Sequence, residues 1–338
     1  MKYNFATLEL LDGKLRFIDQ TKLPVQEEYA VSDNYERIAE AIERLEIRGA
    51  PAIGVAAAYA LALAMKNTSS EETFYKAYKR LAATRPTAVN LFWALDLIKS
   101  EYERNKGKAD LYSLLIKKAK DIHQDDIEKC DNIAKNGLSV FTKKMNALTH
   151  CNAGSLATGG AGTALSIIKL AAENGLIKHA YADETRPLFQ GSRLTAFEFE
   201  KAGIPFSIIT DSTAAFAMKQ GMIDIVITGA DRIAVNGDSA NKIGTYGLAV
   251  NCKHHNIPFY IAAPTSTIDP ACATGDGIKI ELRNKSEVLS LGGVQISKNE
   301  YETYSPAFDV TPSELITGII TEEGLYRYPY DFKNVRNS

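Results

Sequence analysis

From Leu8 to Leu23 apolar and polar residues take turns, which predicts a small hairpin or meander, with Lys14-Leu15-Arg16-Phe17-Ile18-Asp19 as its clearest strand. After Asp33 the period lengthens. Ile38, Ile42 and Leu45 recur at helical spacing, and Ser32 or Asp33 is placed to cap that helix. An Ala-rich helix is predicted from Arg48-Gly49-Ala50-Pro51 to about Met65, then helices over 71–83, 88–105 and 110–141. Residues 1–140 therefore read as a mostly helical N-terminal domain carrying a small β-sheet.

Residues 141–338 change character. Short runs rich in β-branched or aromatic residues recur at 147–151, 179–182, 206–210, 223–228 and 259–263. Helix-like segments follow each of the first four. That alternation predicts an α/β fold, with βαβ units and a parallel, doubly wound, Rossmann-like sheet. Ligands bind such sheets at the carboxyl ends of the strands. Three segments fall there: Cys151-Asn152-Ala153-Gly154, Asp183-Glu184-Thr185-Arg186 and Gly229-Ala230-Asp231-Arg232.

Composition narrows the function classes. The chain has 338 residues, 39 basic and 41 acidic, for a net charge of −2, which argues against a nucleic-acid or membrane surface. The longest apolar stretch, around Pro51 to Met65, is too short for a membrane span. The cysteines Cys130, Cys151, Cys252 and Cys272 form no Cys-x-x-Cys pair and have no His at ligand spacing, so neither a metal nor a cofactor is expected. Free thiols and the lack of an export signal point to a reducing cytoplasm.

Several residues are open to two readings. Asn152 to Thr163 is rich in Gly and small residues between a strand and a helix. It is a tight packing turn or an anion-holding helix start, but not a P-loop or dinucleotide fingerprint. Cys151 is a small buried hydrophobe or a thiol whose pKa a helix start lowers. Asp231 is a helix cap, a partner for Arg232, or a site residue at a strand mouth. Arg48-Gly49-Ala50-Pro51 and Thr84-Arg85-Pro86-Thr87 are capping turns or phosphate clamps, and Arg186 is free to pair with Glu184. The polar density of 236–245 is unusual for a connection in a parallel α/β domain.

Taken in order, the motifs resemble the methylthioribose-1-phosphate isomerase family, related to ribose-1,5-bisphosphate isomerases and to regulatory subunits of a translation-initiation exchange factor. The residues carrying the resemblance are Arg48-Gly49-Ala50-Pro51-Ala52-Ile53-Gly54, Arg85-Pro86-Thr87-Ala88-Val89-Asn90-Leu91, Cys151-Asn152-Ala153-Gly154 and Glu184-Thr185-Arg186-Pro187. Gln190-Gly191-Ser192-Arg193, Gly229-Ala230-Asp231-Arg232-Ile233, Ala240-Asn241-Lys242-Ile243-Gly244-Thr245 and Pro306-Ala307-Phe308-Asp309-Val310-Thr311-Pro312 continue it. The resemblance implies a homodimeric aldose–ketose isomerase that converts a 5-substituted ribose 1-phosphate, S-methyl-5-thioribose 1-phosphate foremost, to the ribulose 1-phosphate. It implies Cys151 and Asp231 as the catalytic pair, with Arg48, Gly49, Ala50, Arg85, Gln190, Asn241 and Lys242 on the sugar phosphate. A proton shuttle and direct hydride transfer both fit the overall change.

Two departures bear on the 5-substituent. Gly159-Gly160-Ala161 stands where the family has a larger aromatic residue, and Ile278-Lys279-Ile280-Glu281-Leu282-Arg283 stands in place of Ile-Pro-Ile-Glu-Glu-Arg. A 5-deoxyribose 1-phosphate isomerase is thus an alternative. A non-catalytic regulatory subunit is another, although such relatives generally lack the Cys and Asp pair.

Overall fold

The computed structural model describes residues 5–85, 89–333 and 335. The N-terminal alternation forms a three-stranded antiparallel meander of β1 (Leu8–Leu11), β2 (Lys14–Ile18) and β3 (Tyr29–Ser32). Asp12 and Gly13, with φ of 49° and 69°, make the left-handed two-residue turn that such a hairpin requires. Helix α1 (Tyr35–Glu43) is capped by Asn34, whose side chain accepts the Glu36 amide. Neither expected cap serves, because Ser32 ends β3 and Asp33 is ion-paired with Lys66.

Helix α2 (Ala50–Leu63) is buried on every side from Ala52 onward, so it forms the axis around which the other helices pack. Around it lie α3 (Glu71–Ala82), α4 (Val89–Asn105) and α5 (Leu111–Leu138). The 28 residues of α5 span about 42 Å at 1.5 Å each. Its first half buries Leu111, Leu115, Ala119 and Ile122 among these helices, and its second half sends Ile133 into the core of the large sheet. Among the described residues, no helix is long and apolar enough to cross a membrane.

The chain then builds β4 (Met145–Thr149), α6 (Ala164–Glu173), β5 (Ile177–Asp183), α7 (Ala196–Lys201), β6 (Phe206–Ile209), α8 (Thr213–Lys219) and β7 (Ile225–Thr228). A short hairpin, β8 (Arg232–Ala234) and β9 (Ser239–Lys242), precedes α9 (Thr245–His255) and β10 (Phe259–Ala262). The fourth predicted strand is therefore followed by a hairpin, not directly by a helix, and the polar 236–245 stretch is that hairpin and its turn. Next come β11 (Ile268–Asp269), the two-stranded β12 (Ser290–Leu291) and β13 (Val294–Gln295), then β14 (Phe308–Thr311), β15 (Gly318–Thr321) and β16 (Gly324–Tyr326).

Seven strands make one sheet in the order β16-β15-β10-β7-β4-β5-β6, parallel except for β16. Alternate residues fill its two faces. Ala147, Ile225, Ile227 and Ala262 face one core; Leu148, Val226, Phe259 and Ile261 face the other. A smaller sheet, β11-β8-β9-β14, stands beside it. From β4 the chain winds outward through β5 and β6, then returns to β7 and winds the other way. The topological switch point thus lies between β4 and β7, and the two strands open a crevice at their carboxyl ends.

Candidate functional site

One cavity occupies that crevice. Cys151 and Asn152 line it from the end of β4, and Gly229, Ala230 and Asp231 from the end of β7. Arg48, Gly49 and Ala50 enter from the start of α2, Arg85 from the segment ahead of α4, and Asn241 and Lys242 from β9. Gln190 completes the set, so all nine residues singled out from the sequence border the same space. Pro86, Thr87 and Ala88, which belong to the Arg85 motif, lie outside the described residues.

Cys151 is held in a costly conformation. Its φ of 62° is left-handed, which costs a non-glycine residue on the order of 1–3 kcal/mol. Two hydrogen bonds hold it there. Its amide donates to Thr185 Oγ1 at 2.8 Å, and its carbonyl accepts from Thr195 Oγ1 at 2.6 Å. The expected thiol pKa shift does not occur. The next α-helix along the chain starts only at Ala164, so the start of α6 does not directly follow Cys151. Burial pushes the Cys151 thiol above its ordinary value, opposed by the positive charges of Arg48 and Lys242.

Asp231 is fixed through its amide, which donates to the Ala240 carbonyl of β9 at 2.9 Å. Burial raises its carboxyl pKa, while Lys242, Arg85 and Arg48 pull it back. Arg232 does not neutralise it in the way the sequence allowed: the Arg232 guanidinium lies 3.5 Å from Asp269. Arg186 likewise turns from Glu184 to the Val288 carbonyl at 3.2 Å, so the β5 end brings Thr185, not a cation, to the cavity region.

Two of the three cations, Arg48 and Lys242, are braced by neutral groups. Arg48 donates from one nitrogen to the Asn152 carbonyl at 2.8 Å and to Asn152 Oδ1 at 2.6 Å. The Asn152 amide nitrogen donates in turn to Glu198 Oε1 at 2.9 Å, which fixes the side-chain oxygen toward Arg48. Glu198 is itself buried with Lys169 at 2.5 Å. Lys242 Nζ donates to the Ala307 carbonyl at 2.9 Å and sits 4.5 Å from the centre of the Phe308 ring. Arg85 is 3.9 Å from Glu281. Gly49 is required by its φ of 90° and because a Cβ would fall 2.4 Å from the Ala157 backbone.

Among the described residues, two buried polar atoms at this site have no protein partner: Arg48 Nε, a donor, and Gln190 Oε1, an acceptor. Leaving such groups unpaired costs about 1–3 kcal/mol each, which a bound polyol or anion would recover. Residues that sequence reasoning missed are the braces: His150, Thr185, Glu198 and Glu281. His150, a polar residue at the end of an apolar strand, left a signal, and Thr185 and Glu281 stood inside quoted motifs without a role, whereas Glu198 left none. His150, Asp183 and Asp211 bring ligand-type atoms within 4.8 Å of one another, yet both ring nitrogens of His150 are hydrogen-bonded already.

The two sequence departures separate here. Gly159 and Gly160 pack on α5, where a Cβ would meet the His123 ring at 2.6 Å and the Ile127 Cα at 2.8 Å, and they lie outside the cavity lining. Glu281 and Arg283 do line the cavity, and Lys279 borders an adjoining recess with Ile53, Ile278, Ile280 and Phe308.

A thiol, a carboxyl group and three cations at a switch-point crevice define an α/β protein built around a small anionic ligand. Residues 46–327 match the initiation factor 2 subunit family. The methylthioribose-1-phosphate isomerase of Desulfitobacterium hafniense is 51% identical, with 96% of each chain covered. The crystal structure of 5-methylthioribose 1-phosphate isomerase from Pyrococcus horikoshii superposes with a TM-score of 0.91 at 42% identity, over 98% of this chain and 97% of that one. A structure titled translation initiation factor eIF-2B, subunit delta, from A. fulgidus matches with a TM-score of 0.88 at 41% identity, over 97% of each. The chain belongs to the initiation factor 2 subunit family, on its methylthioribose-1-phosphate isomerase branch.

Proposed function

We propose that the protein isomerises S-methyl-5-thioribose 1-phosphate to the corresponding ribulose 1-phosphate, with Cys151 and Asp231 as its acid–base pair. The observation that carries this reading is the convergence of the pair with Arg48, Arg85 and Lys242 on one crevice, from five separate segments of the chain. The three cations suit the phosphate, and Gln190 and Asn241 suit the sugar hydroxyls. Together they serve an N-terminal helical domain ending near residue 140 and the Rossmann-like domain after it.

Oxygen 1 carries the phosphate, so the ring cannot open to a free aldehyde. In the proposed sequence protonated Asp231 donates to the ring oxygen as the bond from that oxygen to carbon 1 breaks. The Cys151 thiolate then takes the proton from carbon 2, forming a phosphorylated enediol. The thiol returns that proton to carbon 1, and the carbon 2 hydroxyl gives its proton back to Asp231 as the ketone forms. No atom is gained or lost. The thiol lies above its ordinary pKa, so the reactive carboxylic acid–thiolate form is a proton isomer of the carboxylate–thiol form, with the same net charge.

In the adjoining recess Ile53, Ile278, Ile280 and Phe308 give an apolar group at carbon 5 a surface to rest on, beside the charged Arg85, Asp231, Arg232 and Lys279. Purified protein should convert the methylthio substrate with a higher kcat/KM than 5-deoxyribose 1-phosphate. The reverse order would assign the alternative substrate, and turnover of neither would remove the enzymatic reading in favour of a regulatory subunit. The same reading extends to a cytoplasmic homodimer. It is supported by four free cysteines and by an apolar surface of Phe216, Tyr246 and Val250 on α8 and α9. Sedimentation at micromolar concentration tests the dimer.

A further inference from the structure

His150 lies between the last residue of β4 and Cys151, and its ring is 1% exposed at the floor of the cavity. Its Nδ1 is 2.9 Å from Asp183 Oδ2 at the end of β5. Its Nε2 is 2.8 Å from the carbonyl oxygen of Ile243, the residue after Lys242. A carbonyl only accepts, so Nε2 carries a proton, and a second proton is shared between Nδ1 and the Asp183 carboxyl. With both nitrogens occupied, the ring has none to offer a substrate.

What the ring joins is more telling. Cys151 ends a strand of the seven-stranded sheet, whereas Asn241 and Lys242 end a strand of the smaller sheet. The turn after Lys242 is pressed onto the imidazole. Gly244 has a φ of 107°, and a Cβ there would fall 2.8 Å from His150 Cε1. A hydrogen-bonded ring thus sets the offset between the thiol-bearing strand end and the turn that follows the cation-bearing strand.

Resting on the isomerase reading above, we infer that His150 is a positioning residue: through Asp183 on one side and the Ile243 carbonyl on the other, it holds Cys151 in register with Lys242 and Asn241. Substrate anchored by its phosphate presents carbon 2 to the thiol only while that register is kept. A misplacement on the order of 1 Å costs up to ~100-fold in rate.

Three variants test this by steady-state kinetics with methylthioribose 1-phosphate. His150→Phe keeps a ring but loses both hydrogen bonds. Its kcat should fall by ~10-fold or more while KM stays within ~3-fold, because the phosphate contacts survive and the reacting geometry does not. Asp183→Asn supplies an amide N–H to Nδ1 and leaves the bond to Ile243, so its kcat should stay within ~3-fold of wild type. Gly244→Ala pushes the turn off an intact ring and should reproduce the kcat loss. If His150→Phe does not fold, the contrast between Gly244→Ala and Asp183→Asn decides. Full kcat in His150→Phe or in Gly244→Ala, or a loss in Asp183→Asn as large as theirs, overturns the inference. Absence of wild-type turnover overturns the isomerase reading itself, a separate result from active wild type with undiminished variants.

Discussion

The ends of β4 and β7 occupy equivalent places in adjacent parallel strands, yet they are built differently. At β4 the chain is forced into a left-handed residue and held by Thr185, Thr195 and His150, so the backbone is over-determined and the thiol is fixed. At β7 the chain leaves the strand through Gly229 and Ala230, and Asp231 is tied through one amide to Ala240. Burial raises its proton affinity, and the charges around it, Lys242, Arg85 and Arg48, oppose that rise. The difference teaches that one end supplies position and the other supplies proton affinity. Both ends answer to Arg48 and Lys242, so they titrate as one system.

The strongest way to break this comparison is to remove each group. Cys151→Ser and Asp231→Asn should each lower turnover by at least ~100-fold, while binding of the sugar phosphate weakens much less. The double variant should lose little more than either single one, because the two act as a unit. A Cys151→Ser enzyme of near-normal kcat would show that the strained end is structural only.

Weakening the shared charges is the next test. Arg85→Ala should lower kcat/KM by ~10- to 100-fold, as expected for losing one charge-assisted hydrogen bond to phosphate. An unchanged kcat/KM would place Arg85 with Glu281 alone.

The pH profile sharpens the comparison further. Burial lifts both groups, so the acid limb of kcat/KM should lie above the ordinary aspartate value of 3.8 and the alkaline limb above the ordinary thiol value of 9.0. Below the first, a second proton abolishes the thiolate form; above the second, the pair has no proton for the ring oxygen. Each limb should change tenfold per pH unit. An alkaline limb near neutrality would contradict the raised thiol.

A buried carboxyl outside the cavity lining gives the smallest effect and the cleanest contrast. Asp126 on α5 accepts the Gly159 amide at 2.6 Å, and burial raises its pKa from 3.8 to about 6. Between those values the native state holds more protons than the unfolded chain, so stability is greatest below the lower value and is lost as pH rises through about 6. Asp126→Asn should therefore raise stability at pH 8 by roughly 1–3 kcal/mol, at 1.36 kcal/mol per pKa unit, and leave turnover unchanged. Equal melting temperatures at pH 8 would contradict it.

How legible these features were follows from where burial and polarity agree. The five strands of the large sheet first read from the sequence are short apolar runs, so the sheet and its strand-end sites were visible. Strands β9 and β14 were not, because Ser239-Ala240-Asn241-Lys242 is buried throughout while three of its four side chains are polar. Such residues belong to a ligand site, and site chemistry overrides strand propensity. Strands β15 and β16 were missed because Gly318 and Gly324 interrupt the pattern at their starts. The nine site residues came from motifs, but the direction of the thiol shift did not. It depends on burial of the thiol in the folded cavity, which no local sequence pattern reveals. Glu198 sits in an ordinary Phe-Glu-Phe-Glu helix segment, and nothing local reveals that it braces Asn152.

The coupling of the two strand ends is tested most directly by the pH dependence of Cys151 alkylation. Cys130, Cys252 and Cys272 are buried whereas Cys151 is partly exposed to the cavity, so Cys151 should react first, and Cys151→Ser supplies the blank. Wild type should show a midpoint above the ordinary thiol value of 9.0, because burial and the Asp231 carboxylate both disfavour the thiolate. Asp231→Asn removes that negative charge, so the midpoint should move to lower pH. An identical midpoint in wild type and Asp231→Asn would contradict a coupled pair.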